Sequence, residues 1–358
     1  MATLAPRMVS TGRHSSLALV LNRNRLAFLK PVAFVVAAVL VVGIPAALLA
    51  LICTAVASSN PYFMFSLAVI PVIGIGAVTL AYFAARPVLH PKLTHPQYTP
   101  ADLDITKWQE VSFCSGDGLR LDGWFIPPDP RKDGATLIFV HGLGGNRGEL
   151  LSEAVTLAFY GYGALLFDLR NHGTSQGNIT TLGFSEVEDV CGAVRFLLTR
   201  PEVNSERIGV VGHSMGAVAA IRAAAQIPEI RAVVAESAYS SLRENIAQGL
   251  VAKTGLPPFL FERIVVWLGE RATGIKVDQV SAIEDVPKIS PRAVLFIHGK
   301  RDQVVNFDNS RQLYKAASEP KSLVLFENSG HSELLRSDPV VYNSHVSRFL
   351  DRYLRGVN

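Results

Sequence analysis

Cysteine is scarce in this chain of 358 residues, which has only three. They stand at positions 53, 114 and 191, far apart and odd in number, so neither a disulfide framework nor a cysteine-based zinc site is indicated. A reducing compartment is the simplest interpretation of this cysteine usage.

Acidic residues are absent from the first 101 positions. The first one is Asp102, and seven of the 34 Lys and Arg residues precede it, so the remaining 27 basic residues face 30 acidic ones. The body of the chain therefore has no basic excess for binding phosphate backbones, and nucleic acid is excluded as a partner. Charged residues make up 18% of the chain and hydrophobic residues 49%, which indicates a part associated with a membrane.

Charge is also missing from two long apolar runs, residues 32–57 and 62–83. At a rise of about 1.5 Å per residue, both exceed a hydrocarbon core of roughly 30 Å. Buried soluble helices and a cleaved signal peptide are the alternatives, but the runs lack a polar face and form two full spans instead of one short apolar region. The sequence predicts a two-helix transmembrane hairpin over residues 31–85.

The remaining organisation follows from composition. Residues 1–30 are a basic N-terminal segment, residues 86–104 a proline-rich linker, and residues 105–358 a globular domain with a helical cap insertion at about 239–290. In that domain short apolar strands alternate with amphipathic helices, which predicts an α/β fold with a mostly parallel, doubly wound sheet. The predicted strands are 109–114, 119–126, 135–140, 163–167, 207–211, 232–235, 293–297 and 322–326. The predicted helices lie near 148–160, 183–200, 215–227, 308–318 and 339–354.

The sharpest motif is Gly212-His213-Ser214-Met215-Gly216, placed between an apolar strand and a run of helix formers. A strand-to-helix turn this tight needs flanking glycines and pushes the serine hydroxyl outward. A glycine-rich turn without chemistry is the alternative, but the strand-turn-helix context favours Ser214 as a nucleophile.

A serine hydroxyl needs a base to take its proton and an acid to orient that base. Asp302 follows the predicted strand 293–297, and Glu236, after the preceding strand, competes for the role of acid. His331 follows the last strand, whereas His345 lies within the last helix pattern. We therefore predict that Asp302 is the acid and His331 the base.

Acyl transfer also needs backbone donors for the developing oxyanion. Met215 N–H, at the start of a helix, is one predicted donor. Leu143 N–H, in the glycine-rich stretch 141–146, is the other. A dinucleotide-binding fingerprint competes for this stretch, but it requires glycine at position 147, where the chain has Arg147.

Together these residues resemble the αβ hydrolase superfamily, over about residues 105–356. The resemblance is closest to the branch with monoacylglycerol lipases, serine-aminopeptidase-like hydrolases and membrane-tethered hydrolases. The segment Asp168-Leu169-Arg170-Asn171-His172-Gly173-Thr174-Ser175 resembles a turn of that branch, with departures at Asn171 and His172. We interpret His172 as a structural turn residue and His213 as packing in the turn around Ser214.

The resemblance implies a membrane-anchored serine hydrolase that cleaves an ester, thioester or related acyl bond of a small-molecule or lipid-like substrate. A serine peptidase or amidase of the same fold, or a non-catalytic binding protein of the membrane, remains an alternative. No metal and no organic cofactor is predicted, because no His-Glu-x-x-His, Cys-x-x-Cys or Walker pattern occurs.

The membrane topology gives a first testable prediction. Positive charges flank the outer ends of both spans and the joining residues 58–61 carry none, so the positive-inside rule places the large domain in the cytoplasm. Protease added to sealed, right-side-out cells or vesicles should leave residues 105–358 intact and digest them only after permeabilisation. Digestion before permeabilisation would reverse the orientation.

Overall fold

The computed structural model describes residues 85–254, 262–332 and 334–357, together with positions 72, 74–76, 78, 79, 82 and 83. The chain has two compact units, and the unit Tyr82–Asn358 contains the sheet described next. The predicted membrane hairpin, residues 31–85, lies almost wholly outside the described residues. Among those that are described, no helix has both the length and the apolar character to cross a bilayer.

The core of the unit is an eight-stranded sheet in the order β1-β2-β4-β3-β5-β6-β7-β8. The first pairings, β1 with β2 and β2 with β4, are antiparallel, and all later ones are parallel. This confirms the predicted mostly parallel sheet. The strands are β1 Gln109–Cys114, β2 Arg120–Ile126, β3 Thr136–Val140, β4 Gly163–Phe167, β5 Ile208–His213, β6 Ile230–Glu236, β7 Ala293–Gly299 and β8 Lys321–Phe326.

Helices cover both faces of this sheet. They are α1 Leu151–Phe159, α2 Glu186–Leu198, α3 Met215–Ala224, α4 Leu242–Thr254, α5 Glu262–Thr273, α6 Ala282–Asp285, α7 Asp308–Ala316, α8 Leu334–Ser337 and α9 Pro339–Leu350. Short 3-10 turns occur at Pro100–Leu103, Val277–Gln279 and Val286–Ile289, and the last helix continues into a π turn at Asp351–Arg355.

Alternate side chains of the central strands enter two separate cores. In β3, Ile138 and Val140 pack into a cluster with α2, α3 and α7, whereas Leu137 and Phe139 pack with α1 and α9. Each such side chain stabilises the fold by about 1.5–3 kcal/mol through burial. Because both faces are covered, the middle residues of the central parallel strands are mostly apolar, as in Leu137-Ile138-Phe139-Val140 of β3, and show no polar alternation.

Three neighbouring strands, β5, β6 and β7, extend beyond their predicted carboxyl ends. β5 reaches His213 because its ladder with β6 continues to the pair His213–Glu236. β7 reaches Gly299 because it pairs with β8 as far as Phe326. These extensions bring polar residues to the carboxyl edge of the sheet, where ligands bind in open α/β sheets.

The segment 239–290, predicted as a helical insertion, contains α4, α5 and α6 together with two of the 3-10 turns. Trp267 on α5 is 50% exposed. Residues 255–261, between α4 and α5, lie outside the described residues, and they include Phe259 and Phe261.

Candidate active site

Ser214 is the only residue between β5 and α3, and its backbone is strained. It has φ 54° and ψ −117°, a conformation that non-glycine residues rarely adopt and that costs on the order of 1–3 kcal/mol. The flanking glycines are sterically required: a Cβ on Gly216 would lie 2.1 Å from Val140 O, and one on Gly212 2.5 Å from Gly216 O. The turn has the geometry expected of a nucleophile elbow.

The structure brings the three predicted catalytic side chains together. His331, in the loop after β8, has Nε2 at 2.9 Å from Ser214 Oγ and Nδ1 at 2.6 Å from Asp302 Oδ2. A carboxylate only accepts hydrogen bonds, so in the neutral ring Nδ1–H donates to Asp302 and Nε2 accepts from the serine hydroxyl. This tautomer is the one that a general base needs.

Asp302 is held by more than the His331 ring. His298 Nε2 lies 3.0 Å from Oδ2, and the backbone N–H groups of Val304 and Val305 donate to Oδ1 at 2.8 and 2.9 Å. Burial alone would raise the pKa of Asp302, but the hydrogen bonds from His298 and His331 outweigh it and hold that pKa well below its ordinary range. The carboxyl is therefore ionised throughout the working pH range.

Glu236, the competing acid, occupies a different place. Its side chain is buried and accepts a hydrogen bond from the Tyr342 hydroxyl. Burial raises the pKa of Glu236. The carboxylate that contacts the His331 ring belongs to Asp302, whereas Glu236 contributes a backbone carbonyl that accepts from Ser214 N–H at 2.8 Å.

The two predicted oxyanion donors flank the serine. Met215 is the first residue of α3, and Leu143 lies in a loop that passes close to the turn: a Cβ on Gly142 would be 3.4 Å from Ser214 Cβ. In the part of the chain that the structure describes, neither Leu143 N–H nor Met215 N–H donates a hydrogen bond. Both are available to a negative charge.

Sequence reasoning missed an ion pair behind the serine. Glu149 Oε1 lies 2.5 Å from His213 Nδ1 and also accepts from Gly142 N–H at 3.2 Å, and His213 Nε2 donates to His331 O at 2.9 Å. Burial alone would lower the pKa of His213, but the hydrogen bond and charge of Glu149 raise it to about 9. The pair thus links three parts of the site. They are the loop of residues 141–146, called the oxyanion loop from here on, the turn at Ser214, and the loop after β8 that carries His331.

His172, interpreted above as a turn residue, also supports the oxyanion loop. Its Nδ1 donates to Arg170 O at 2.9 Å, and its Nε2 accepts from Gly144 N–H at 3.0 Å. Burial lowers the pKa of His172 to about 4, so the ring is neutral and able to accept. Within the described ranges, no group of His, Cys, Asp and Glu side chains is arranged to hold a metal ion.

The chain is similar in sequence to known proteins. The sequence profile of the alpha/beta hydrolase family matches residues 137–344. Uncharacterized protein YfhR of Escherichia coli (strain K12) is 29% identical over 62% of this chain and 73% of YfhR. Uncharacterized protein YqkD of Bacillus subtilis (strain 168) is 29% identical over 66% of this chain and 77% of YqkD.

Two solved structures have similar folds. The Pyrococcus furiosus esterase Pf2001 superposes with a TM-score of 0.62 and 27% identity, over 75% of this chain and 98% of the esterase chain. The Pyrococcus horikoshii acylaminoacyl peptidase has a TM-score of 0.55 over 69% of this chain and 42% of the peptidase chain. At 20% identity, the second similarity concerns the fold alone.

Exchange of the acid tests its role. Asp302→Asn places an amide where His331 Nδ1–H needs an acceptor, favours the wrong tautomer, and should lower kcat for p-nitrophenyl esters by up to about 10⁴-fold. Glu236→Gln is the matched control and should keep most of the activity. Unchanged activity in Asp302→Asn together with loss in Glu236→Gln would assign the acid to β6.

The ion pair gives a prediction on stability against pH. The folded pKa of His213, about 9, lies above its ordinary 6.5, so the contribution of the pair is complete below the ordinary value and is lost as pH rises through about 9. The pKa of Glu149 is lowered by the same contact, so its contribution is lost only in acid. Glu149→Gln should lower the free energy of unfolding by about 2 kcal/mol near pH 6, and by less above about pH 9.

Chemical denaturation across this pH range measures the difference. Glu153→Gln, four residues along the chain, is the control: burial and the neighbouring Glu236 raise the pKa of Glu153 to about 8, so glutamine replaces a carboxyl that is neutral at pH 6. Because folding keeps that carboxyl protonated at a pH above its ordinary pKa of 4.5, the parent chain loses stability there that glutamine does not lose, and Glu153→Gln should not lower the free energy of unfolding near pH 6. A deficit in Glu149→Gln that did not vary with pH would contradict an ionised pair.

Proposed function

The chain belongs to the alpha/beta hydrolase family, and from that premise we propose that it is a serine hydrolase that forms an acyl-enzyme on Ser214. The observation that carries the proposal is the continuous chain of contacts from Ser214 Oγ through His331 to Asp302, at 2.9 and 2.6 Å. The strained backbone at Ser214 supports it, because such strain persists only where the surrounding structure enforces it.

In the proposed acylation step, Ser214 Oγ attacks the acyl carbon while His331 Nε2 takes the hydroxyl proton. The carbonyl oxygen becomes negative and receives hydrogen bonds from Leu143 N–H and Met215 N–H, each worth roughly 2.7–4 kcal/mol in a preorganised site. His331 then protonates the leaving group, which departs as an alcohol or thiol and leaves the acyl group on the serine.

Deacylation repeats the sequence with water. His331 removes a proton from the water as it attacks the acyl-enzyme, and returns that proton to Ser214 Oγ when the acid product leaves. Asp302 stays ionised through both steps and stabilises the imidazolium, which fits the lowered pKa of its carboxyl. The donors and acceptors required are side chains and backbone amides of this chain, and no step calls for a cofactor.

A carboxylic ester, or a related acyl bond such as a thioester, is the proposed target. The esterase Pf2001, 27% identical over most of its length, favours an ester. Amide or peptide cleavage is the second candidate, which the fold shared with an acylaminoacyl peptidase leaves open. A non-catalytic binding protein would not need the contact between Ser214 and His331 or the strained turn.

We also propose that the enzyme belongs to the lipase-like, membrane-tethered branch and acts on lipid-like acyl substrates from the cytoplasmic side of a bilayer. The support is in the sequence: the two uncharged runs 32–57 and 62–83, the basic residues that flank them, and the turn at residues 168–175. This placement would bring the catalytic domain next to substrates that partition into the membrane.

Covalent labelling tests the nucleophile. Ser214→Ala should abolish both ester turnover and labelling by a fluorophosphonate probe, while circular dichroism and the melting temperature stay close to those of the parent chain, because only one hydroxyl is lost. Ser205→Ala, which changes an exposed serine in a turn, should label and turn over normally. Full labelling of Ser214→Ala would place the nucleophile elsewhere.

A further inference from the structure

The segment that precedes the hydrolase domain is bound to its surface. Residues 85–89 are helical, and Leu89 is only 9% exposed. Leu89 O accepts hydrogen bonds from Thr180 N–H at 2.9 Å and from Asn171 Nδ2 at 3.2 Å. His90 Nδ1 adds a third contact, to Asn178 O at 2.8 Å. These bonds fix the segment against the loop that follows β4.

Thr94, further along the segment, contacts the predicted oxyanion loop. Its hydroxyl donates to Gly144 O at 3.2 Å and accepts from Asn146 Nδ2 at 3.0 Å. Pro96 packs close by, since a Cβ on Gly148 would lie 2.9 Å from Pro96 Cβ. Gly144 is therefore held through its carbonyl by Thr94 and through its N–H by His172.

The same segment borders a cavity of about 320 Å³. Its walls include Val88 and Leu89 from the segment, Ile246 from α4 and Val277 from the 3-10 turn after α5. Of the described residues that line it, none is charged. Lined in this way, the cavity suits a hydrocarbon chain better than a polar or ionised group.

The cavity adjoins the proposed catalytic groups at two points. Leu143, whose N–H is a predicted oxyanion donor, is one lining residue. Val304, whose N–H donates to Asp302 Oδ1 at 2.8 Å, is another. A substrate whose carbonyl sat between Leu143 and Met215 would have this cavity beside it for its apolar part.

We propose that the segment 85–96 contributes three residues to the active site: Val88 and Leu89 form a wall of the pocket for the hydrocarbon part of an acyl substrate, and Thr94 is a positioning residue for the oxyanion loop. The inference rests on the proposed function and adds to it the pocket that would take the hydrocarbon chain and a part played by the residues that precede the domain. Its consequence is that chain-length preference is set partly outside residues 105–358.

The pocket wall is tested by filling the cavity in the full-length chain. Val88→Trp should lower kcat/KM for p-nitrophenyl octanoate by at least about tenfold and for p-nitrophenyl acetate by less than about twofold, since only the longer chain needs the space. Leu93→Trp is the matched control: Leu93 is 52% exposed in the same segment, and its variant should behave like the parent. Val88→Ala, which enlarges the pocket, should shift the preference toward longer esters.

The positioning role of Thr94 predicts a different change in the kinetic constants. Thr94→Val should lower kcat about tenfold for both esters with little change in KM. The reason is that Leu143 N–H, the donor in the loop that Thr94 positions, acts mainly in the transition state. Thr94→Ser, which restores the hydroxyl, should recover most of the rate. Thr99→Val, which removes a hydroxyl bonded to Asp102 in the following turn, is the matched control and should leave kcat unchanged.

A measurement of laurate binding tests the pocket independently of the proposed catalytic function. Laurate titrated calorimetrically into Ser214→Ala should bind, and Ser214→Ala/Val88→Trp should bind it at least about tenfold more weakly. A parent chain that neither reacts with fluorophosphonate nor hydrolyses esters would refute the proposed function, and the laurate titration would still decide the pocket. Equal loss on both esters in Val88→Trp with unchanged laurate binding would overturn the inference.

Discussion

The site depends on one close contact, the approach of α3 to β3 at Gly216. No side chain fits there, because a Cβ would lie 2.1 Å from Val140 O. With α3 this close to the sheet, a single residue connects it to β5, and Ser214 takes φ 54° to complete the turn. The parallel pairing of β5 to β8 then brings the loops after β7 and β8 to the same edge, so Asp302 and His331 converge on the serine.

Local sequence was sufficient to predict the strands of the sheet and the three side chains that contact one another, those of Ser214, His331 and Asp302. The glycines around Ser214 and the strand before it identify the turn, and the order of Asp302 and His331 along the chain follows from the sheet. The partners that sequence reasoning missed are of another kind. Glu149 meets His213 across 64 residues, a contact that no spacing reveals. His298 was missed because β7 extends past its predicted end and carries this ring toward Asp302.

Burial has opposite consequences for the carboxyl groups around the site. Asp302 and Glu149 stay ionised because each has hydrogen-bond donors that outweigh the cost of burial, and the pKa of each is lowered. Glu153 and Glu236 lack comparable donors, and the pKa of each is raised. The two carboxyl groups with a lowered pKa are thus the ones that face histidine rings, Asp302 next to His331 and Glu149 next to His213. The charge of Glu149, with a smaller contribution from Glu236, favours the proton on His213, and the protonated ring donates to His331 O.

The oxyanion loop illustrates how preorganisation arises from ordinary hydrogen bonds. Gly142 N–H donates to Glu149, Gly144 N–H donates to His172, and Gly144 O accepts from Thr94. Two donors and one acceptor beside Leu143 are therefore occupied by partners from three separate parts of the chain, while Leu143 N–H donates to nothing in the described ranges. Because Gly142 and Gly144 are both fixed, the Leu143 amide cannot turn toward another acceptor unless one of those bonds breaks. Its cost of reorganisation is met during folding, and in the proposed reaction the amide is already in place when charge develops on a substrate oxygen.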